Sequence, residues 1–306
     1  MTTLVFGHTS PDTDSTCSAV VWAWFLSHHE PGAAEARVLG RPNTEAAFVL
    51  GRWGFEVPPL LTDLAAGTPV VIVDTNNPAE LPEGINAADI RAIIDHHKLV
   101  GGLETKAPIE ITVRPVACTA TLLYQLMGGH AGHAPQGIRG LILSAILSDT
   151  LEFRSPTTTP VDRQVAERLA AELRIDIPAY AAEMFAAKSD VSAFTDAELL
   201  RMDSKEYNVA GTELRVSVLE TTSPQTVLAR KDSLMRTMDE VAREDGADQV
   251  LLFVIDILRE EATMLIPNAL TRRIAEASFG VKAPGDMIVI PGLMSRKKQI
   301  IPALKV

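Results

Sequence analysis

Three apolar runs in this chain end in side chains that can hold metal ions. Thr3-Leu4-Val5-Phe6-Gly7 leads into His8-x-x-x-Asp12-x-Asp14, Val70-Val71-Ile72-Val73 into Asp74, and Ala92-Ile93-Ile94 into Asp95-His96-His97. Strand ends of an α/β sheet open onto the crevice where ligands bind, so these imidazoles and carboxylates are expected to meet there. Asp149, in Ser148-Asp149-Thr150, adds another carboxylate. Taken singly, Asp14 reads first as a helix N-cap, and Asp149 could equally be an ordinary loop carboxylate. Together His8, Asp12, Asp14, Asp74, His96 and Asp149 read as a cluster of hard ligands. Imidazole with several carboxylates suits Mn²⁺ or a similar divalent ion, and the lack of thiolates argues against structural zinc. Six groups exceed the needs of one ion with open positions. Two ions about 3.5–4 Å apart, sharing carboxylates, could hold a bridging hydroxide and clamp a phosphoryl displacement.

A second set is cationic. Arg296-Lys297-Lys298 is held between Leu293-Met294 and Ile300-Ile301, with Pro291-Gly292 before and Pro302 after. A basic triplet is ordinarily a solvated face. This setting instead predicts a fixed, partly buried loop that aims its cations, with arginine offering a planar fork to phosphate and lysine a point charge. Lys205 is weak on its own. Cys118 and Cys17 have no activating neighbour in sequence and read as packing residues. Thr119 and Thr121 stand at a predicted helix start, where phosphate contact is conceivable and N-capping is the better fit.

The elements that must carry these groups alternate. After the strand at 3–7, a helix capped by Asp14-Ser15 runs to about Leu26, and 43–53 is helical. Strands follow at 70–74 and 90–94, then helices at 118–127, 138–148 and 161–174. This pattern predicts an α/β fold, its N-terminal part a doubly wound, mostly parallel sheet. Near 186–195 the periodicity lapses into small and polar residues, as in a linker or a plain loop. A smaller C-terminal α/β domain is expected beyond it, with strands at 213–220, 249–257 and 261–266 and helices at 224–244 and 268–278. The expected boundaries are 1–187 for the first, metal-binding domain, 188–195 for the linker and 196–306 for the second domain. With 306 residues, 46% hydrophobic and 22% charged, the chain can bury two cores. Two cysteines fit a reducing cytosol. No signal peptide is visible and no apolar run is long enough to span a bilayer. The net charge of −11 excludes a general nucleic-acid binder.

Gly7-His8-x-x-Pro11-Asp12-x-Asp14-Ser15, Asp95-His96-His97 and Ser295-Arg296-Lys297-Lys298-Gln299 together resemble the family II, manganese-dependent inorganic pyrophosphatases of the DHH phosphoesterase superfamily. The first two motifs are shared across the superfamily, and the third narrows the choice. The resemblance spans essentially the whole chain. It implies two Mn²⁺ per subunit, with Co²⁺ as an alternative and Mg²⁺ arriving with substrate. One ion would use His8, Asp12, Asp74 and Asp149; the other Asp14, Asp74, His96 and Asp149. His97, Lys205, Arg296 and Lys297 would bind and activate pyrophosphate, which a metal-bridging hydroxide splits into two orthophosphates between the two domains. The strand alternation would separate His96, on metal, from His97, on substrate. A cytoplasmic homodimer is implied as well. Ser10 and Thr75 depart from the Asn and His usual in the family, though neither is a direct ligand. Two rival readings fit the residues less well. A DHH phosphodiesterase would carry a Gly-Gly-Gly-His-type loop in the second domain, which is absent here; a non-catalytic sensor would not need both an intact ligand set and an intact cation loop.

Overall fold

Each predicted strand of the N-terminal half is a short β-branched or apolar run bounded by turn residues, and the computed structural model, described over residues 2–306, pairs them into one sheet. The chain divides between Lys188 and Ser189 into two compact units. In the first, β1 (Thr3–Phe6), β2 (Ala34–Ala36), β3 (Pro69–Val73), β4 (Asp89–Asp95) and β5 (Glu110–Val113) lie in the order β2-β1-β3-β4-β5. All four pairings are parallel. The central strand β3, Pro-Val-Val-Ile-Val, is buried throughout, as a strand covered on both faces must be. Val71 and Val73 point into a core with Val21, Leu122, Leu143 and Leu169. Val70 and Ile72 point into another with Phe6, Ile90, Leu81 and Ile85.

Six helices accompany this sheet: α1 (Thr13–His29), α2 (Thr44–Arg52), α3 (Thr119–Met127), α4 (Gln136–Asp149), α5 (Pro160–Leu173) and α6 (Ile177–Lys188). The chain leaves β1 toward β2 on one side and returns through β3 toward β5 on the other. The reversal falls between β1 and β3, and a crevice opens beyond their carboxyl ends at such a switch point. His8 and Asp74 follow directly on those two ends.

The second unit has a mixed sheet, β10-β9-β8-β7-β6, made of β6 (Ser204–Val209), β7 (Thr212–Thr221), β8 (Gln249–Asp256), β9 (Glu261–Leu265) and β10 (Met287–Pro291). Only β7 and β8 run parallel. The β6–β7 hairpin turns on Ala210 and Gly211, both at positive φ, as a two-residue hairpin of the right twist requires. α7 (Asp196–Met202) starts on a capping box of Thr195 and Glu198. The single helix expected over 224–244 is two, α8 (Pro224–Leu228) and α9 (Lys231–Glu244). Arg230 leaves helical geometry between them, and its guanidinium bonds the carbonyls of Val191 and Phe194 and the Asp196 carboxylate. That tertiary anchor has no signature in the local sequence. α10 (Ala269–Phe279) follows. Helix α6 continues through Lys188, so 186 and 187 are helical. Among the described residues no helix is long and apolar enough to cross a membrane.

Candidate metal centre

The site is built where β1, β3 and β4 end. Gly7 lets β1 pass close to the start of α1: a Cβ there would lie 2.1 Å from Ser15 Oγ and 3.1 Å from the Val73 carbonyl. Ser15 Oγ instead accepts the backbone N–H of His8 at 3.1 Å, which fixes where the imidazole leaves the strand. The N-cap of α1 is Asp12, not Asp14. Asp12 Oδ1 accepts the Ser15 N–H at 3.0 Å. Asp14 is thereby released for another role. It is buried, and its carboxylate accepts Thr119 N–H at 2.5 Å, Ala120 N–H at 3.1 Å and Ser18 Oγ at 2.8 Å. Two free N–H groups at the start of α3 therefore hold Asp14, where a helix terminus favours an anion. Thr119 and Thr121 are not caps. The cap position is Cys118, without a side-chain bond, and the two hydroxyls donate to Asp74 Oδ1 and Asp162 Oδ1.

Asp74 is central. It sits just past β3 at φ 59°, a left-handed conformation uncommon outside glycine, asparagine and aspartate. Its Oδ2 lies 3.5 Å from His8 Nε2 and its Oδ1 3.4 Å from His96 Nε2. Each oxygen thus faces a different imidazole. His8 Nε2 is also 3.7 Å from Asp12 Oδ1. Ligand atoms within 4.8 Å of one another group the residues as His8, Asp12 and Asp74; as Asp14, His96 and Asp149; and as Asp74, His96 and His97. All six residues expected as ligands are brought together, and His97 joins them.

The adjacent histidines do not diverge. β4 ends at Asp95, and strand alternation ends with it. Asp95 Oδ1 accepts both the His96 and His97 N–H groups, at 2.7 and 3.0 Å, and turns the chain. The rings come to 4.2 Å between centroids, and His97 Nδ1 lies 3.9 Å from Asp74 Oδ1. They differ in what holds them. His96 Nδ1 bonds the Val116 carbonyl at 3.1 Å, which leaves Nε2 free to accept an ion. His97 Nδ1 bonds Asp95 Oδ1 at 2.9 Å, and its side chain is half exposed. In sequence, Asp95 reads only as one more strand-end carboxylate, and Asn76 has no evident role. Asn76 Nδ2 donates to Asp95 Oδ2 at 2.6 Å, and the acidic residue inside the Asp-His-His triplet was the available signal.

The electrostatics call for cations. Burial, then the charge of Asp14, pushes Asp74 up to about 6 against the hydrogen bonds of His8 and His96. Burial and the same carboxylate neighbours raise Asp149 well above the usual range. Burial lowers His96, but Asp74 and Asp14 outweigh it and bring it to about 9; His8 is raised in the same way, by Asp74 and Asp12. Burial raises Asp95, yet the bonds from His97 and Asn76 win and its carboxyl is held low. The bond to Asp95 in turn raises His97. Crowded, buried oxygen and nitrogen donors fit divalent ions such as Mn²⁺. Cys17 and Cys118 are buried free thiols, pushed up first by burial, and so are poor ligands.

A groove beside this cluster is lined by His8, Ser10, Thr75, Asn76, Glu80 and His97. Thr75 is buried and donates to Glu80 Oε2 at 2.8 Å, so its hydroxyl is tied locally. In the second unit, Lys205, Arg296 and Lys297 line one groove together with Asp203, Tyr207 and Glu220. The cationic segment is a helical turn, Arg296–Ile300, rather than a loop. Gln299 locks it, accepting Met294 and Ser295 N–H at 2.8 and 2.9 Å and donating to the Gly292 carbonyl at 2.7 Å. Arg296 is oriented by Asp203, through Nη2 to Oδ1 at 2.7 Å and Nη1 to the carbonyl at 2.8 Å.

Residues 2–148 match the N-terminal domain of the DHH family, and residues 182–306 match the DHHA2 domain. A Deinococcus radiodurans protein named "Probable manganese-dependent inorganic pyrophosphatase" is 42% identical over 308 residues, covering 98% of this chain and 97% of its own. A Staphylococcus aureus protein of the same name is 35% identical, covering 99% and 97%. Among solved structures, a Methanococcus jannaschii protein assigned to family II of the inorganic pyrophosphatases matches with a TM-score of 0.60 at 33% identity, over 98% of this chain and 97% of that one. A Bacteroides fragilis exopolyphosphatase-related protein, at 14% identity and a TM-score of 0.52 over 98% and 89%, shares the fold alone.

Proposed function

The chain belongs to the family II, manganese-dependent inorganic pyrophosphatases of the DHH superfamily, and from that premise we propose that it hydrolyses pyrophosphate to two orthophosphates. The observation that carries this reading is Asp74, one oxygen toward His8 and the other toward His96. A carboxylate so placed can serve two ions at once. His8, Asp12, Asp74 and Asp149 would hold one Mn²⁺, and Asp14, Asp74, His96 and Asp149 the other, with Co²⁺ an alternative and Mg²⁺ accompanying the substrate. Bound there, the ions would supply the Lewis acidity that makes water a nucleophile at a pH of about 7.

The chain's own residues do the rest. Asp95, buried and bonded to both histidine N–H groups, keeps His97 aimed and raises its hold on a proton, so that His97 Nε2 can donate to the oxygen of the departing phosphate. Lys205, Arg296 and Lys297 neutralise charge on the phosphate oxygens, which is where it builds in the transition state. Asp203 and Gln299 hold that cationic groove in one shape before substrate arrives. The reading includes a cytosolic homodimer, as the family resemblance implies. The test is phosphate release with Mn²⁺ present, from pyrophosphate, a dinucleotide and a long polyphosphate in parallel. Fast release from pyrophosphate alone is expected; preference for the dinucleotide would overturn the assignment.

A further inference from the structure

Glu45, on α2, has no place in the ligand sets, yet it is fully buried at 0% exposure. Its Oε2 accepts the Thr13 hydroxyl at 2.8 Å and the Ser148 hydroxyl at 2.6 Å, with Lys188 Nζ at 3.4 Å. Its Oε1 is buried without a hydrogen-bond partner. A buried carboxyl oxygen without a hydrogen-bond partner is unfavourable for folding, so stability alone does not explain it. What it touches is informative. Thr13 lies between Asp12 and Asp14 at the first turn of α1, and Ser148 precedes Asp149 at the last turn of α4. One carboxylate oxygen therefore joins the two helix ends that carry three of the six ligand residues, from two helices more than a hundred residues apart in sequence.

We propose that Glu45 is a positioning residue that sets the separation of Asp12 and Asp14 from Asp149 and thereby the affinity of the centre for its ions. The inference rests on the metal reading above. Asp14, Asp74 and Asp149 crowd together between those helix ends, and the shared acceptor joins the first turn of α1 to the last turn of α4 at the spacing the ligand set needs. Lys188, with its ammonium reaching solvent, places its Nζ 3.4 Å from Glu45 Oε2 and helps orient that oxygen.

The test is Mn²⁺ affinity of the full chain, by calorimetric titration after chelation, for Glu45→Met and Glu45→Gln, with metal-free unfolding temperature alongside. Met removes both acceptor bonds, whereas the amide oxygen of Gln still accepts from Thr13 and Ser148. Glu45→Met should weaken Mn²⁺ binding about 10–100-fold, as loss of groups supporting metal ligands does, without lowering the metal-free unfolding temperature. Glu45→Gln should keep wild-type affinity. Wild-type affinity in Glu45→Met, or equal loss in both variants, would overturn the positioning role. If Glu45→Met does not fold, Thr13→Val and Ser148→Ala each remove one arm, and each should weaken binding; unchanged affinity in both overturns the proposal. A wild-type chain that takes up no Mn²⁺ defeats the metal reading itself, and the Glu45 role with it.

Discussion

At the scale of single residues, a few contacts separate a metal ligand from a substrate group. His96 and His97 stand side by side and both approach Asp74, so distance to the carboxylate does not divide their duties. Their outer hydrogen bonds do. A backbone carbonyl holds His96 with Nε2 free, and a buried carboxylate holds His97 as a proton carrier open to solvent. His96→Gln should therefore lose metal on dialysis. His97→Gln should retain both ions and lower kcat, where general-acid help is usually worth about 10²–10⁴-fold. Elemental analysis and kcat on the two variants decide it, and equal metal loss would make His97 a ligand.

At the scale of elements, strand ends and helix starts carry the chemistry, and two substitutions separate fold from site. Gly7→Ala puts a methyl onto Ser15 Oγ and should cost roughly 1–3 kcal/mol of stability as an overpacked contact, with weaker Mn²⁺ binding because His8 moves with the strand. Gly51→Ala, near the exposed end of α2 with open space around it, should instead stabilise by up to about 1 kcal/mol. Thermal melts and Mn²⁺ titrations on both give the comparison, and a silent Gly7→Ala would contradict the close approach. Arg296→Ala, on the turn locked by Gln299, should lower kcat/KM by about 10²–10³ with metal content unchanged; normal kinetics would return the segment to a solvated charge run. Much of this was legible in the sequence. Apolar runs placed β1, β3 and β4 close to where they lie, because burial on both faces leaves an unbroken signature. Side chains bonded across long separations left none. The bonds from Asp14 to the start of α3 join positions more than a hundred residues apart, so local propensity assigned Asp14 a capping role that Asp12 performs. Glu45 was invisible for the same reason, since its partners Thr13 and Ser148 are adjacent only after folding. The turn at His96 and His97 was misjudged because Asp95 ends the strand with its own side chain.

At the scale of the whole molecule, a chain of net charge −11 gathers Asp14, Asp74 and Asp149 in one place, and bound cations would relieve that crowding. Without ions, Asp74 is raised from 3.8 to about 6, so its contribution to stability is complete below pH 3.8 and lost as pH rises through about 6. Asp149, also raised, acts in the same direction. His96, raised from 6.5 to about 9, contributes fully below 6.5 and loses that contribution as pH rises through about 9. Above about pH 5, where the lowered carboxyls such as Asp95 already contribute fully, the Tm of the metal-free protein should accordingly fall toward pH 9, and Mn²⁺ should oppose the fall; a metal-free Tm that rises over this range would contradict the raised values. The central claim, that Asp74 serves two ions at once, meets its most direct test in stoichiometry. Chelated protein titrated with Mn²⁺ should recover full pyrophosphate hydrolysis at two ions per chain, and Asp74→Ala should hold neither ion tightly. Full activity with one tightly bound ion per chain, or an Asp74→Ala variant that keeps two, would contradict it.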